Sequence, residues 1–374
     1  MRGRKLRFGL AAAAVLAVAG CSPAPSAPTA PVPSATSTPT DSTQVQPAGD
    51  PTVVASGLDA PWSVVRLEGG STLISERDTA IVKELTPSGE LRDAGTVAGV
   101  QPGGEGGLLG IEALEDDEGL WLYAYFTAAS DNRIVRMPIE GDAGALSLGD
   151  ASVILSGIAK AGNHNGGRIK FGPDGMLYAT TGDAGVSSRS QDPGSINGKI
   201  LRMMPNGSVP ADNPAPGSLV YSLGHRNPQG LAWDDAGRLW AAEFGQNTWD
   251  ELNVIQPGHN YGWPEVEGAA GTEGFDDPVY QWSTSEASPS GLAFIGNTFF
   301  LAALRGQTLW AIYPMGDRVE AVAWYTAQYG RMRDAVPGPG GSLWVLTNNT
   351  DGRGNPAPDD DKLLEIRLTE LAEG

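Results

Sequence analysis

The chain has 374 residues, a formal charge of −19, 51 glycines, 28 prolines and one cysteine. So acidic a surface is a poor partner for nucleic acid or anionic lipid, and a single cysteine leaves no internal disulfide to hold the fold. The length permits one large core or a set of repeats.

In chain order, Arg2, Arg4, Lys5 and Arg7 form a positive segment, residues 8–18 an apolar stretch, and Ala19-Gly20-Cys21 a small-residue cleavage site. Cys21, directly after Val-Ala-Gly, resembles the lipid-modified cysteine of a bacterial lipoprotein; an ordinary secretory signal is the alternative. Residues 1–20 are thus expected to be a signal peptide, and the mature chain to be held outside the cytoplasm, at the cell surface or on the periplasmic side, by a lipid on Cys21 that anchors it to the bacterial membrane. Removing the signal takes away four cations and no acid, which leaves a charge of −23. No other apolar run approaches the ~18 residues needed to span a bilayer. Residues 21–50, rich in Pro, Ser, Thr and Ala, bury too little surface to offset their ordering entropy and predict a tether. The folded domain is expected over 51–374.

Within it a strand–turn–strand unit recurs: WSVVRLEGGSTLISE, IEALEDDEGLWLYAYF, IKFGPDGMLYATTGD, LAWDDAGRLWAAEFG, LAFIGNTFFLAAL and DAVPGPGGSLWVLTN. The turns, near Gly69, Glu118, Gly175, Gly237, Gly296 and Gly340, recur at intervals on the order of fifty residues, the range of four-stranded propeller blades. Long amphipathic helical patterns are absent, and the fold predicted is all-β, a six-bladed β-propeller of four-stranded blades. The strand around Leu363 to Leu368 is expected to complete a blade begun at the N-terminus.

The polar segment Tyr221 to Pro264 carries His225, Arg226 and Asn227, a Glu-Phe-Gly-Gln turn at 243–246, and the pair Asp250-Glu251. Arginine beside histidine in Gly/Pro-rich loops suits a pocket for an anionic ligand, and the acidic pair offers oxygen to a hard cation. His164, ahead of Gly166-Gly167-Arg168, stands in a polar turn at a strand entrance. By itself such a residue is a hydrogen-bonded turn histidine. Arg331 and Arg333, two apart in a strand-like stretch, point to one face. No Gly-x-Ser-x-Gly motif announces a serine nucleophile.

Four motifs, GEGGLLGI at 104–111, NHNGGRIKFGPDGMLYATTGD at 163–183, the Tyr221 to Pro264 segment and GRMRD at 330–334, resemble the soluble PQQ-dependent sugar dehydrogenases, the glucose/sorbosone dehydrogenase family, and most of all its aldose sugar dehydrogenase branch. The resemblance implies a six-bladed propeller that oxidises the C1 hydroxyl of aldoses to lactones with PQQ and Ca²⁺ and passes electrons to an acceptor the sequence does not identify. It implies that His164 is the general base and that Arg226 stabilises charge on the quinone. It assigns cofactor contacts to Glu105, Asn163, Asn227, Trp282, Thr284, Arg305, Arg331 and Arg333. It gives the carbonyls of Gly245 and Gln246 to a catalytic Ca²⁺, and Asp250, Glu251 and Tyr261 to a second, structural one. Two departures stand out: Asn163 replaces an Asp found in relatives, so a carboxylate orienting the base from that position is missing, and Leu304 replaces the lysine of a Lys-Arg pair. His225 and His259 are expected to be structural. A surface propeller that binds sugar or protein without redox chemistry, and a calcium-dependent lactonase, are the competing readings.

Overall fold

Each of the six hairpins is the inner half of an antiparallel sheet in the computed structural model, which describes residues 43–316 and 318–372. Blade 1 spans 61–96, blade 2 108–158, blade 3 169–223, blade 4 228–283 and blade 5 289–324. Blade 6 takes its three inner strands, Met332–Pro337, Leu343–Thr347 and Lys362–Glu370, from the end of the chain and its outermost strand, Val45–Ser56, from the beginning. Among the described residues each sheet has four strands, except that blade 2 adds the short Ser147–Leu148 against its third strand. The six turns predicted from sequence all join the first and second strands of a blade, and Gly175 (φ 74°) and Gly237 (φ 75°) adopt the left-handed backbone that a tight turn favours in glycine.

The first strands of neighbouring blades pack on one another around the axis, so they form the inner ring. Second strands such as Leu177–Thr181, Leu239–Glu243 and Thr298–Ala303 are buried at every position, because blades stack on both of their faces. That is why these stretches are nearly continuous in apolar and small residues rather than alternating. Between blades 4 and 5 the rings of Trp240 and Phe299 lie 4.5 Å apart, with Ala242, Ala303 and Leu301 filling the remaining space. Burying each such aromatic contributes roughly 1.5–3 kcal/mol. Across the axis, Arg168 of blade 3 pairs with Asp334 of blade 6 at 3.0 Å, and the same carboxylate oxygen accepts the Val64 amide of blade 1.

The domain boundary expected at Pro51 is corrected. The strand Val45–Ser56 already pairs at Val45 with Glu370 and continues to Ser56 opposite Lys362. Composition misled here because an outermost strand needs few apolar side chains: only Pro47 and Ala55 are buried, and the ladder to the last strand supplies the hold. Prolines are tolerated at such an edge. The signal peptide, Cys21 and the first part of the tether lie outside the described residues. No helix among the described residues is long and apolar enough to cross a membrane.

Candidate active site

Two sets of connections converge at one end of the axis: those from one blade into the next, and those between the second and third strands of a blade. Together they line a cavity of about 270 Å³. The first set brings Glu105, His164, Arg226, Asn227, Ser288 and Arg331; the second brings Arg77, Gly245, Leu304, Arg305 and Arg353; Trp62, Gln229 and Arg333 come from inner strands.

His164 sits in the left-handed region at φ 54°, a conformation that a non-glycine residue keeps only when its surroundings enforce it. Its amide donates to Glu105 Oε2 at 2.9 Å and its carbonyl accepts from the Ala184 amide at 3.1 Å. Gly182 lets the chain pass this close, since a Cβ there would lie 2.0 Å from the His164 carbonyl oxygen. The imidazole Nδ1 is 2.7 Å from Asp183 Oδ1, and Trp263 Nε1 donates to the other oxygen at 2.9 Å. Burial alone would push the Asp183 carboxyl up, but the hydrogen bonds from His164, Trp263 and Gly185 outweigh it and hold the group below the usual carboxylate range. An ionised Asp183 facing Nδ1 favours the tautomer with its proton on that nitrogen.

Arg226 has its amide bound to Glu243, with one guanidinium nitrogen on the Phe244 carbonyl at 3.3 Å. Its Nε is buried with no partner, and burial pulls its pKa below the ordinary arginine value. Arg331 holds Asp351 at 2.8 Å yet also leaves its Nε buried and unpaired. Arg333, fully enclosed, donates to Asn348 and Gln229, both neutral. Burial, partly offset by Asp351, pushes Arg333 down to about 9, with Arg331, Arg77 and Arg168 adding repulsion, and it remains a cation at neutral pH. Arg331 and Arg333 therefore share the cavity as predicted. Asp334 is not their partner, since it turns to Arg168.

The cavity thus collects six arginines, Arg77, Arg226, Arg305, Arg331, Arg333 and Arg353, and one carboxylate, Glu105, in a protein whose overall charge is −19. Buried guanidinium nitrogens without acceptors call for an anion. The turn beside Arg226 is arranged in the opposite sense. The amides of Gln246, Asn247, Thr248 and Trp249 all point to Glu267 Oε1, and that of Gly245 to Asp250 Oδ1. The carbonyls of Gly245 and Gln246 accept none of the hydrogen bonds among the described residues, so they stay open to a hard cation.

Several predicted contacts are not brought to the cavity. Asn163 is exposed and does not line it; the carboxylate thought to be missing there is supplied by Asp183 instead. Trp282 lies in the outermost strand of blade 4, buried in the interblade core 4.7 Å from the Tyr280 ring and 5.8 Å from that of Trp310, and Thr284 follows it at the rim. A position far from the axis cannot reach the cavity, and Ser288, further along the same connection, lines it instead. Asp250 and Glu251 point to opposite faces of their strand. Asp250 accepts the Gly245 and Ser288 amides, whereas Glu251 accepts from Gly268 and Asn253. Only Glu251 joins Tyr261, Glu243 and Glu267 around a small neighbouring cavity behind Arg226. Among the described residues no set of three or more His, Cys, Asp or Glu has the geometry to hold a metal by side chains alone. The Tyr261 hydroxyl donates to the Val254 carbonyl and its ring stacks on His225, 4.9 Å between centroids. His225, held by Ser222 and Glu243, is structural as expected, and His259 pairs with Asp276 away from the cavity.

Sequence reasoning missed Trp62, Arg77, Gln229, Arg353 and Trp263. Asp183 closed a motif already singled out, and its separation from His164 by one hairpin was the available signal. Arg353 lies in the Gly/Asn/Pro-rich connection 348–361, where no periodicity marks a functional position.

A propeller whose axial cavity pairs a histidine–carboxylate couple with an excess of arginine has the form of a cofactor-dependent enzyme. The chain belongs to the glucose/sorbosone dehydrogenase family, whose model matches residues 58–359, and it is an oxidoreductase of that family. It is 31% identical over 350 residues to the aldose sugar dehydrogenase YliI of Escherichia coli K12, covering 80% of this chain and 90% of that protein. The PQQ-bound aldose sugar dehydrogenase of Streptomyces coelicolor superposes with a TM-score of 0.82 at 51% identity, over 87% of this chain and 98% of that one. The apo form of the soluble aldose sugar dehydrogenase of Escherichia coli gives 0.74 at 26% identity, over 88% and 100%.

Proposed function

We infer that the protein oxidises the C1 hydroxyl of aldoses to lactones with PQQ and Ca²⁺. The observation that carries this reading is the pair of buried, unpartnered guanidinium nitrogens on Arg226 and Arg331 in the cavity that His164 also lines. The family relatives, one of them solved with PQQ, support it. Bound PQQ would supply the two-electron, hydride-accepting quinone that turns the C1 alcohol into a lactone. Its carboxylates would be held by Arg226, Arg331, Arg333 and Arg305 beside Asn227. The open carbonyls of Gly245 and Gln246 would take the Ca²⁺, and Glu251 with the Tyr261 carbonyl would take a second one.

Arg77, Arg331 and Arg353 are paired with Asp78, Asp351 and Glu105, whereas Arg226, Arg305 and Arg333 have no carboxylate partner among the described residues. Arg226, Arg305 and Arg333 are thus the cavity cations left free to meet an anionic cofactor. His164 takes the C1 hydroxyl proton through Nε2, and Asp183 stabilises the imidazolium that forms. Arg226 places positive charge where negative charge grows during transfer. The electron acceptor and the lipid anchor at Cys21 belong to the same proposal, which puts the enzyme outside the cytoplasm.

Purified protein given PQQ and Ca²⁺ is expected to reduce a redox dye with glucose, xylose or maltose, to lose this activity on chelation, and to regain it with Ca²⁺. Full activity in metal-free, PQQ-free protein would end the quinoprotein reading. Separately, Cys21→Ser is expected to move the protein from the membrane to the soluble fraction with dye reduction unchanged, because the residues that line the cavity run from Trp62 to Arg353; retention through salt and carbonate washes would refute the lipid anchor.

A further inference from the structure

Trp263 stands behind the cavity wall, bordering the small space it shares with Arg226, Glu243 and Phe244. Its indole Nε1 donates to Asp183 Oδ2 at 2.9 Å, while Asp183 Oδ1 accepts the Gly185 amide at 2.7 Å and faces His164 Nδ1 at 2.7 Å. The guanidinium carbon of Arg226 lies 5.5 Å from the centroid of the same indole, within cation–π range. The backbone of Trp263 is itself pinned: its amide donates to the Gly224 carbonyl at 2.9 Å, and its carbonyl accepts Gln191 Nε2 at 2.7 Å. Gln191 is in turn locked to Asn260 by two hydrogen bonds.

The other polar groups around the His164–Asp183 pair act on backbone atoms: Glu105 holds the His164 amide, Arg189 donates to the Asp183 carbonyl, and the Asp183 amide donates to the Arg226 carbonyl. Apart from His164 itself, Trp263 is the side chain that donates to the Asp183 carboxylate among the described residues. Without it, Oδ2 would lose its hydrogen bond and the carboxylate would be held through Oδ1 alone, by Gly185 and His164.

We propose that Trp263 is a positioning residue that sets the base and the cation from one ring, its N–H orienting Asp183 against His164 and its face holding the Arg226 guanidinium. The proposal rests on His164 acting as base. It separates two functions of a single side chain, and two substitutions divide them. Trp263→Phe keeps an aromatic face and removes the N–H; Trp263→Leu removes both.

The test begins with ¹⁵N-histidine-labelled full-length protein before any PQQ is added, so that it needs no turnover. The chain has three histidines, and His164→Gln identifies the signals of interest. Wild-type His164 is expected as the single tautomer protonated at Nδ1, and both Trp263 variants as a mixture of tautomers. With PQQ and Ca²⁺ added, Trp263→Phe is expected to slow stopped-flow cofactor reduction roughly 10- to 100-fold with the sugar KM within about twofold, as loss of an orienting partner does. PQQ binding, followed by calorimetry, is expected to hold in Trp263→Phe and to weaken about tenfold in Trp263→Leu, which leaves Arg226 without its aromatic support. A Trp263→Phe protein with the wild-type tautomer and rate would overturn the link to Asp183. Equal PQQ affinities for the Phe and Leu variants would overturn the link to Arg226. If wild-type protein neither binds nor reduces PQQ, the functional reading fails, while the tautomer comparison still decides whether Trp263 orients the pair.

Discussion

Replacing His164 with glutamine is expected to lower the rate of sugar-dependent cofactor reduction by ~10²–10⁴-fold, the usual contribution of a positioned acid–base group. Glutamine keeps much of the size and hydrogen-bonding capacity of histidine, but it has no lone pair that titrates near neutrality. PQQ affinity is expected to stay close to wild type, because the arginines do not depend on the imidazole: Arg331 is fixed by Asp351 and Arg333 by Asn348 and Gln229. Stopped-flow absorbance of bound cofactor isolates this step from the later passage of electrons to an acceptor. Reduction at the wild-type rate would show that the base lies elsewhere.

Asp183→Asn is expected to be nearly as damaging, with a loss of roughly 10³–10⁴-fold, although it changes a group that does not touch the sugar. Asparagine can point its NH₂ at Nδ1, which then becomes the acceptor, so the proton moves to Nε2 and the base is lost from the cavity side. The same substitution removes a stabilising ionisation. Because the folded pKa of Asp183 is lowered, its contribution to stability is fully present above the unfolded value of about 4 and is lost as pH falls through the lower folded value. Melting temperatures of wild type and Asp183→Asn are therefore expected to differ most near neutrality and to converge in acid. A variant with the wild-type rate, or with a melting difference that does not vary with pH, would contradict this account of the pair.

Much of the architecture was legible because it follows from short-range chemistry. Each inner hairpin needs apolar strands around a turn, so Gly175, Gly237, Gly296 and Gly340 marked their blades in the bare sequence. Motif resemblance placed Glu105, His164, Arg226, Asn227, Arg331 and Arg333 in one cavity, and the structure brings them there. It failed at Trp282 and Thr284, where the local match was short and an outermost strand carries the residues into the core between blades. Strand alternation, which the pattern of adjacent acids does not reveal, sends Asp250 and Glu251 to opposite faces, where they accept from different amides.

By itself, then, the sequence determined the number of blades, the run of each inner hairpin and the residue types that carry the chemistry, because these depend on side-chain periodicity and turn preference over a few residues. The tertiary structure decided which charges meet. Glu105 pairs with Arg353 across a sequence separation of 248 residues, and Arg168 with Asp334 across 166. The N-terminal strand finds the last one at the far end of the chain. Such pairings arise only when the ring closes and connections from different blades are brought to the same end of the axis, where the low dielectric makes each unmatched guanidinium costly and so gives the cavity its demand for an anion.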